Sequence, residues 1–99
     1  MRVMLRATLD TEKSSEAIKA GRLPDVIKGV MDKIKPEAAY FMPNEGQRSC
    51  VFVFDMQDSS ELPVLAEPFF LQLGARIEVS PVMNLDDLQK GLSGLSAAG

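Results

Sequence analysis

Histidine and tryptophan are both missing from the 99 residues, and cysteine and tyrosine occur once each. Without an imidazole the chain lacks the commonest general base near neutral pH and the commonest transition-metal ligand. A Ser-His-Asp or Cys-His centre is therefore excluded, as is zinc held by histidines or by several cysteines. No metal and no cofactor is expected, and no residue is assigned as catalytic. The single cysteine, Cys50, has no partner for an internal disulfide, which agrees with a reducing compartment.

Long apolar runs are also scarce. None approaches the ~20 residues of a membrane-spanning helix, and Arg2 and Arg6 interrupt the stretch where a signal peptide would carry its apolar region. A cytoplasmic location with no membrane partner is expected. Positive charge is in deficit, with 11 Lys and Arg scattered among 14 Asp and Glu for a net charge of −3. Nucleic acid needs clustered cations to neutralise phosphates, so no nucleic-acid partner is expected.

What remains has the balance of an ordinary folded domain, 45% hydrophobic and 25% charged. The length points to a single domain over residues 1–99. Such a domain has only about 5–15 kcal/mol of stability, which association with a second copy would raise.

The stretch Arg48-Ser-Cys-Val-Phe-Val-Phe-Asp-Met56 is a continuous β-branched and aromatic run, the mark of a strand buried on both faces. Residues 38–42 form a second strand, joined to it by Pro43-Asn-Glu-Gly46, where Gly46 suits the positive φ of a short hairpin turn. Residues 2–9 alternate, with Val3, Leu5, Ala7 and Leu9 opposite Met4, Arg6 and Thr8. Residues 76–82 alternate as well, with Ile77 and Val79 opposite Arg76, Glu78 and Ser80.

Between these strands the apolar spacing turns helical. Asp10 and Thr11 cap a short helix over residues 12–20 whose apolar contacts are Ala17 and Ile18. Pro24 opens a second helix with Leu23, Val26, Ile27, Val30, Met31 and Ile34 as its stripe, and Pro36 ends it. A third begins near Glu61, buries Leu62, Leu65, Phe69, Phe70 and Leu73, is kinked at Pro68 and ends at Gly74. The last starts at Asn84, Asp86 and Asp87 and repeats Leu85, Leu88, Leu92 and Leu95. Its Gly91 and Gly94 weaken it, so the stripe needs a surface to lie on, and residues 96–99 are expected to fray.

Strand, helices, hairpin, helix, strand, helix is the split βαβ order of a ferredoxin-like α+β fold, βαββαβ with an antiparallel four-stranded sheet and an extra C-terminal helix. The strands from Arg2 and Arg48 should be central. Helices cover one face of such a sheet, so the apolar side chains of the other face call for a second subunit. A homodimer is the expected partner state.

The runs Lys35-Pro-Glu-Ala-Ala-Tyr-Phe41, Phe52-Val-Phe-Asp-Met56, Leu65-Ala-Glu-Pro-Phe-Phe70 and Pro81-Val-Met-Asn-Leu-Asp-Asp-Leu-Gln-Lys-Gly-Leu92 resemble a family of small uncharacterised bacterial proteins. That family is similar to the dimeric α+β barrel superfamily, which includes muconolactone isomerases, cofactor-independent antibiotic-biosynthesis monooxygenases and haem-degrading enzymes. The resemblance covers nearly the whole chain and implies the fold and a face-to-face dimer. It carries no catalytic residue over, because the histidine and tryptophan on which several of those enzymes rely are missing here.

Arg6, Tyr40 and Glu78 are the candidate ligand-binding residues. Arg6 and Glu78 fall on neighbouring strands and on the face away from the helices, where Arg6 would hold an anion and Glu78 would act as base. An ion pair between them weighs more than that reading, and packing weighs more than ligand contact for Tyr40. Arg48 is expected to pair with Glu45 or Asp55 at a solvated rim. Cys50 reads as a buried, inert thiol. Glu61, Asp86 and Asp87 read as helix-terminal charge, and Glu67 as solvated unless the kink at Pro68 redirects it.

Two functional classes stay open beside a third. One is a homodimeric module binding a small, partly apolar molecule in a cavity at the sheet face. The second is a cofactor-independent monooxygenase or isomerase acting on a small anionic substrate. The third is a structural protein-interaction module using the C-terminal helix.

Overall fold

A computed structural model describes residues 1–98, with side-chain surroundings through residue 95. The expected fraying of residues 96–99 falls on side chains outside that range. The elements run β1 (Arg2–Thr8), α1 (Thr11–Lys19), α2 (Leu23–Ile34), β2 (Ala38–Asn44), β3 (Gln47–Asp55), α3 (Glu61–Leu73), β4 (Arg76–Pro81) and α4 (Leu85–Ala98). The sheet order is β2-β3-β1-β4, antiparallel throughout, the ferredoxin-like arrangement with the strands from Arg2 and Arg48 at its centre.

Alternation decides which side chains meet the helices. Val3, Leu5 and Ala7 of β1 and Cys50, Phe52 and Phe54 of β3 are buried against Ala17 of α1, Val26 and Val30 of α2, and Leu65, Phe69 and Leu73 of α3. Phe52 lies at its centre, its ring centroid 6.3 Å from Phe69 and 6.1 Å, edge-on, from Phe41. Full burial of such a side chain stabilises the fold by roughly 1.5–3 kcal/mol. Two expected core residues fall outside: Ile18 is 46% exposed and Phe70 43% exposed. Each occupies the outer flank of its helical stripe, where none of the described residues forms a further layer.

Local signals set the ends. Asp10 accepts from the Lys13 amide at 2.9 Å and caps α1. The hairpin turns on Glu45 and Gly46, both at positive φ (54° and 75°), so β2 runs on through Pro43 and Asn44 rather than stopping at Met42. Two consecutive positive-φ residues match the right-handed twist of the flanking strands, and β2 is an edge strand, where Pro43 removes no needed ladder bond. The helix α3 continues through Pro68, and Gly74, at φ 54°, caps it.

The chain departs most from a compact shape at α4. Every residue from 85 to 95 is exposed, including Leu85, Leu88, Leu92 and Leu95. Asn84 and Asp87 cap the helix reciprocally: the Asp87 amide donates to Asn84 Oδ1 at 2.8 Å, and the Asn84 amide to Asp87 Oδ2 at 3.1 Å. Arg2 holds this corner to the sheet by bonding Asp87 at 2.6 Å. Beyond it the leucine stripe stays 41–68% exposed, and the longest dimension of the molecule reaches 57 Å. Among the described residues no helix is long and apolar enough to cross a membrane.

Candidate functional site

The register across the uncovered face of the sheet puts Tyr40 opposite Val51, Val51 opposite Arg6, and Arg6 opposite Glu78. These four residues form one transverse row that crosses all four strands. One neighbouring row is Ala38, Val53, Met4 and Ser80, and the other is Met42, Ser49, Thr8 and Arg76. Strands lie about 4.8 Å apart, so Arg6 stands about 5 Å from Glu78 and about 10 Å from Tyr40 along the row.

The row sets the apolar Val51 between Tyr40 and Arg6, with Glu78 at its far end. Tyr40 is 65% exposed and therefore does not pack within the chain, against the reading that favoured packing. Val51 is buried, Arg6 half-buried and Glu78 exposed. The ion pair favoured between Arg6 and Glu78 is not formed: among the described residues the salt bridges are those of Met1 with Asp55, Arg2 with Glu37 and Asp87, and Arg76 with Glu45. Facing side chains on a twisted edge pair have room to turn to water, and water removes most of the gain from closing such a pair. Farther along, Asn44 donates to Thr8 Oγ1 at 3.2 Å and Ser49 donates to the Ala7 carbonyl at 2.8 Å, so that end of the face is ordered by its own hydrogen bonds.

Two concavities of the single chain lie elsewhere. One, of about 520 Å³, is a groove on the helix side, where Leu23 and Ile27 of α2 face Phe41 and Cys50 across a gap beside Leu9. The other, of about 580 Å³, surrounds the base of α4 and is lined by Arg2, Glu37, Asp55 and Asp87. Each charge in this second crevice has a partner, with three carboxylates on two cations: Arg2 bonds Glu37 and Asp87, each at 2.6 Å, and the terminal ammonium meets Asp55 at 2.7 Å. Glu37, then Asp87, hold the Arg2 guanidinium above its ordinary pKa.

Arg48 pairs with neither Glu45 nor Asp55. Its Nη1 donates to Ser14 Oγ at 2.8 Å, Ser15 Oγ at 3.0 Å and the Thr11 carbonyl at 3.3 Å. Both expected acids have other partners, Arg76 for Glu45 and the terminal ammonium for Asp55. No run of residues near Arg48 announces this contact; the available signal was the pair Ser14 and Ser15 in a helix otherwise poor in apolar residues.

Cys50 is buried, and desolvation pushes its thiol up to about 11. The thiolate that nucleophilic chemistry requires is thus scarce at neutral pH. Glu61 accepts from the amides of Gln57 and Asp58 at 2.7 and 2.9 Å, a helix-start role, while Glu67 is exposed. Among the described residues no group of histidine, cysteine and acidic side chains is arranged to hold a metal.

A family model described as a domain of unknown function (DUF3303) matches residues 1–96. No curated protein matches the sequence. Among solved structures the chain is similar to the de novo designed protein Ferredog-Diesel, with 9% identity over 82% of this chain and 85% of that one and a TM-score of 0.49.

Proposed function

The chain belongs to the DUF3303 family, whose description names no reaction, and from its own geometry we propose that it works as a homodimeric small-molecule-binding protein. Two copies pack uncovered sheet face to uncovered sheet face, in the manner of a dimeric α+β barrel. The rows of Tyr40, Val51, Arg6 and Glu78 from both copies line the hollow between them. Arg6 binds the acidic end of a small, partly apolar ligand, and Val51, Met4 and Tyr40 meet its apolar part. The expected setting is the bacterial cytoplasm.

The observation that carries this reading is the transverse row itself, with Arg6, unpaired among the described residues, standing beside the buried Val51 and one strand from the equally unpaired Glu78. A cation left without a partner on a surface about to be buried would oppose dimerisation. A bound anion removes that penalty.

The size of the interface gives α4 a place in the same assembly. Four strands about 4.8 Å apart, with six residues each rising about 3.4 Å, present a flat footprint on the order of 400 Å². A stable interface buries roughly 800 Å² per partner. The exposed leucine stripe of α4, reaching over the second copy, supplies the remaining apolar surface. Sedimentation equilibrium of the full chain tests the reading: a dimer at micromolar concentration supports it, and a monomer overturns it.

A second reading keeps the same row and adds chemistry. Glu78 has no ion-pair partner among the described residues, so its carboxylate is free to serve as a base beside an Arg6-bound substrate. The activity would be that of a cofactor-independent isomerase or monooxygenase on a small anion. Loss of turnover in Glu78→Gln with substrate binding intact would distinguish it from binding alone.

A further inference from the structure

The helix-side groove of about 520 Å³ is a second site, and its chemistry differs from that of the sheet face. It lies where α2 faces the edge strand β2, whose Ala39 packs against the core. Phe41 points to the helix side of β2 and is still 59% exposed. Leu9, Leu23, Ile27, Phe41 and Cys50 make the groove apolar, and its volume falls within the roughly 300–1,000 Å³ of small-molecule sites.

One charge faces this apolar trough. Arg48 is the single charged residue of the lining, and no carboxylate lines it. The guanidinium has five N–H donors. Nη1 is held by three neutral oxygens, from Ser14, Ser15 and Thr11, and Ser14 is itself fully buried. No acceptor among the described residues meets Nε or Nη2. The arrangement fixes the fork in place, leaves its charge uncompensated and keeps two nitrogens for an incoming group. Ser49, the neighbouring hydroxyl, donates to the Ala7 carbonyl.

We propose that this groove binds an amphiphilic monocarboxylate, a medium-chain or aryl acid. Its tail lies between α2 and β2, and its carboxylate is taken by Nε and Nη2 of Arg48. A carboxylate matches the planar fork with two charge-assisted hydrogen bonds. A neutral chain of the same length would gain only the apolar contact.

The test uses the full chain labelled with ¹⁵N, titrated with decanoate and, separately, with decanol. Saturable decanoate binding below about 1 mM, at least tenfold tighter than decanol, is expected, with amide shifts concentrated at Leu23, Ile27, Phe41 and residues 46–50. Arg48→Gln should bring decanoate down to the level of decanol. Ile27→Trp, which fills the trough while leaving the Arg48 cradle intact, should abolish both. Equal affinity for the two probes or no saturable binding overturns the proposal. Shifts confined to the rows of Met4, Tyr40 and Val51 overturn it too, assigning the ligand to the sheet face. If decanoate affinity falls as protein concentration rises, a second copy occupies the groove and the proposal fails. None of these outcomes depends on the sheet-face dimer, whose own test is the molecular mass.

Discussion

Arg6 and Glu78 stand directly opposite each other on β1 and β4 without closing a salt bridge. The register that brings opposite charges within reach thus leaves both open. A double-mutant cycle with Arg6→Ala and Glu78→Ala, followed by urea unfolding, should give a coupling within about 0.5 kcal/mol, the range of an exposed or absent pair. A coupling of several kcal/mol would place the pair inside a desolvated contact and remove Arg6 as a free anion receptor.

The sheet face should respond to charge placed where the dimer would bury it. Tyr40 is exposed in the single chain, so Tyr40→Glu is expected to leave its fold intact and its stability within about 0.5 kcal/mol. Under the face-to-face arrangement the same substitution buries two carboxylates between the copies and should shift the sedimentation mass to that of one chain. Unchanged mass would mean that the dimer, if present, uses another surface.

Helix α4 can be tested without disturbing its tether. Leu88→Ser with Leu92→Ser leaves the Asn84–Asp87 cap and the Arg2 contact in place. If both leucines are buried on a second copy, their loss removes roughly 3–6 kcal/mol at about 1.5–3 kcal/mol each, and the dimer should dissociate at least a hundredfold more readily. Circular dichroism of the doubly substituted chain should still report the sheet and the remaining helices. An unchanged dimer would instead leave the stripe to a different protein, as an interaction module requires.

The parts legible in the sequence were those carried by local pattern. Period-two alternation in residues 2–9 and 76–82 assigned the faces of β1 and β4, and the order of elements, that of a split βαβ unit, implied the strand order. The shared face of Arg6 and Glu78 follows from the same alternation. Tyr40 joins their row through the hairpin register, set by the two-residue turn at Glu45 and Gly46. The groove at Arg48 was not legible, since it depends on what three helices fail to cover. Phe41 carries no signal of its own, because its exposure depends on where the helices end beside the edge strand β2. Arg48 reads as a rim charge because its partners, Ser14 and Ser15, lie more than thirty residues away. Ile18 and Phe70 misled for a related reason, as apolar spacing marks a helix face but not where the neighbouring layer ends.

The turn offers a stability prediction in which two small effects oppose each other. Glu45 adopts φ 54°, a left-handed conformation that Asn tolerates better than Glu. Glu45→Asn also removes the bond from Arg76, a 3.1 Å pair whose side chains are 53% and 70% exposed. Such exposed pairs contribute little, so the backbone effect should win, with a net gain of about 0.5 kcal/mol in thermal or urea unfolding. Gly46→Ala should lose about 1 kcal/mol. A Cβ there would meet no atom within 4 Å, so the loss reports the strain of φ 75° alone.

Cys50 sets a pH dependence whose sign follows from burial. Folding raises its pKa to about 11 from an unfolded value of 9.0. Below pH 9 both states hold the proton, and the thiol adds no slope. Above it the unfolded chain ionises while the folded chain does not, so stability falls with rising pH until the folded thiol also ionises near pH 11. The two-unit displacement corresponds to at most about 3 kcal/mol. Lys and Tyr titrate over the same interval, so the quantity to measure is the difference in slope between the natural chain and Cys50→Ala. The variant should start less stable, from the lost packing of a buried side chain, and should lose less stability between pH 9 and 11. Parallel slopes would mean that the thiol ionises as readily in the fold as out of it. Cys50 would then be open to solvent through the floor of the groove, and a tail lying there would shield it from thiol reagents.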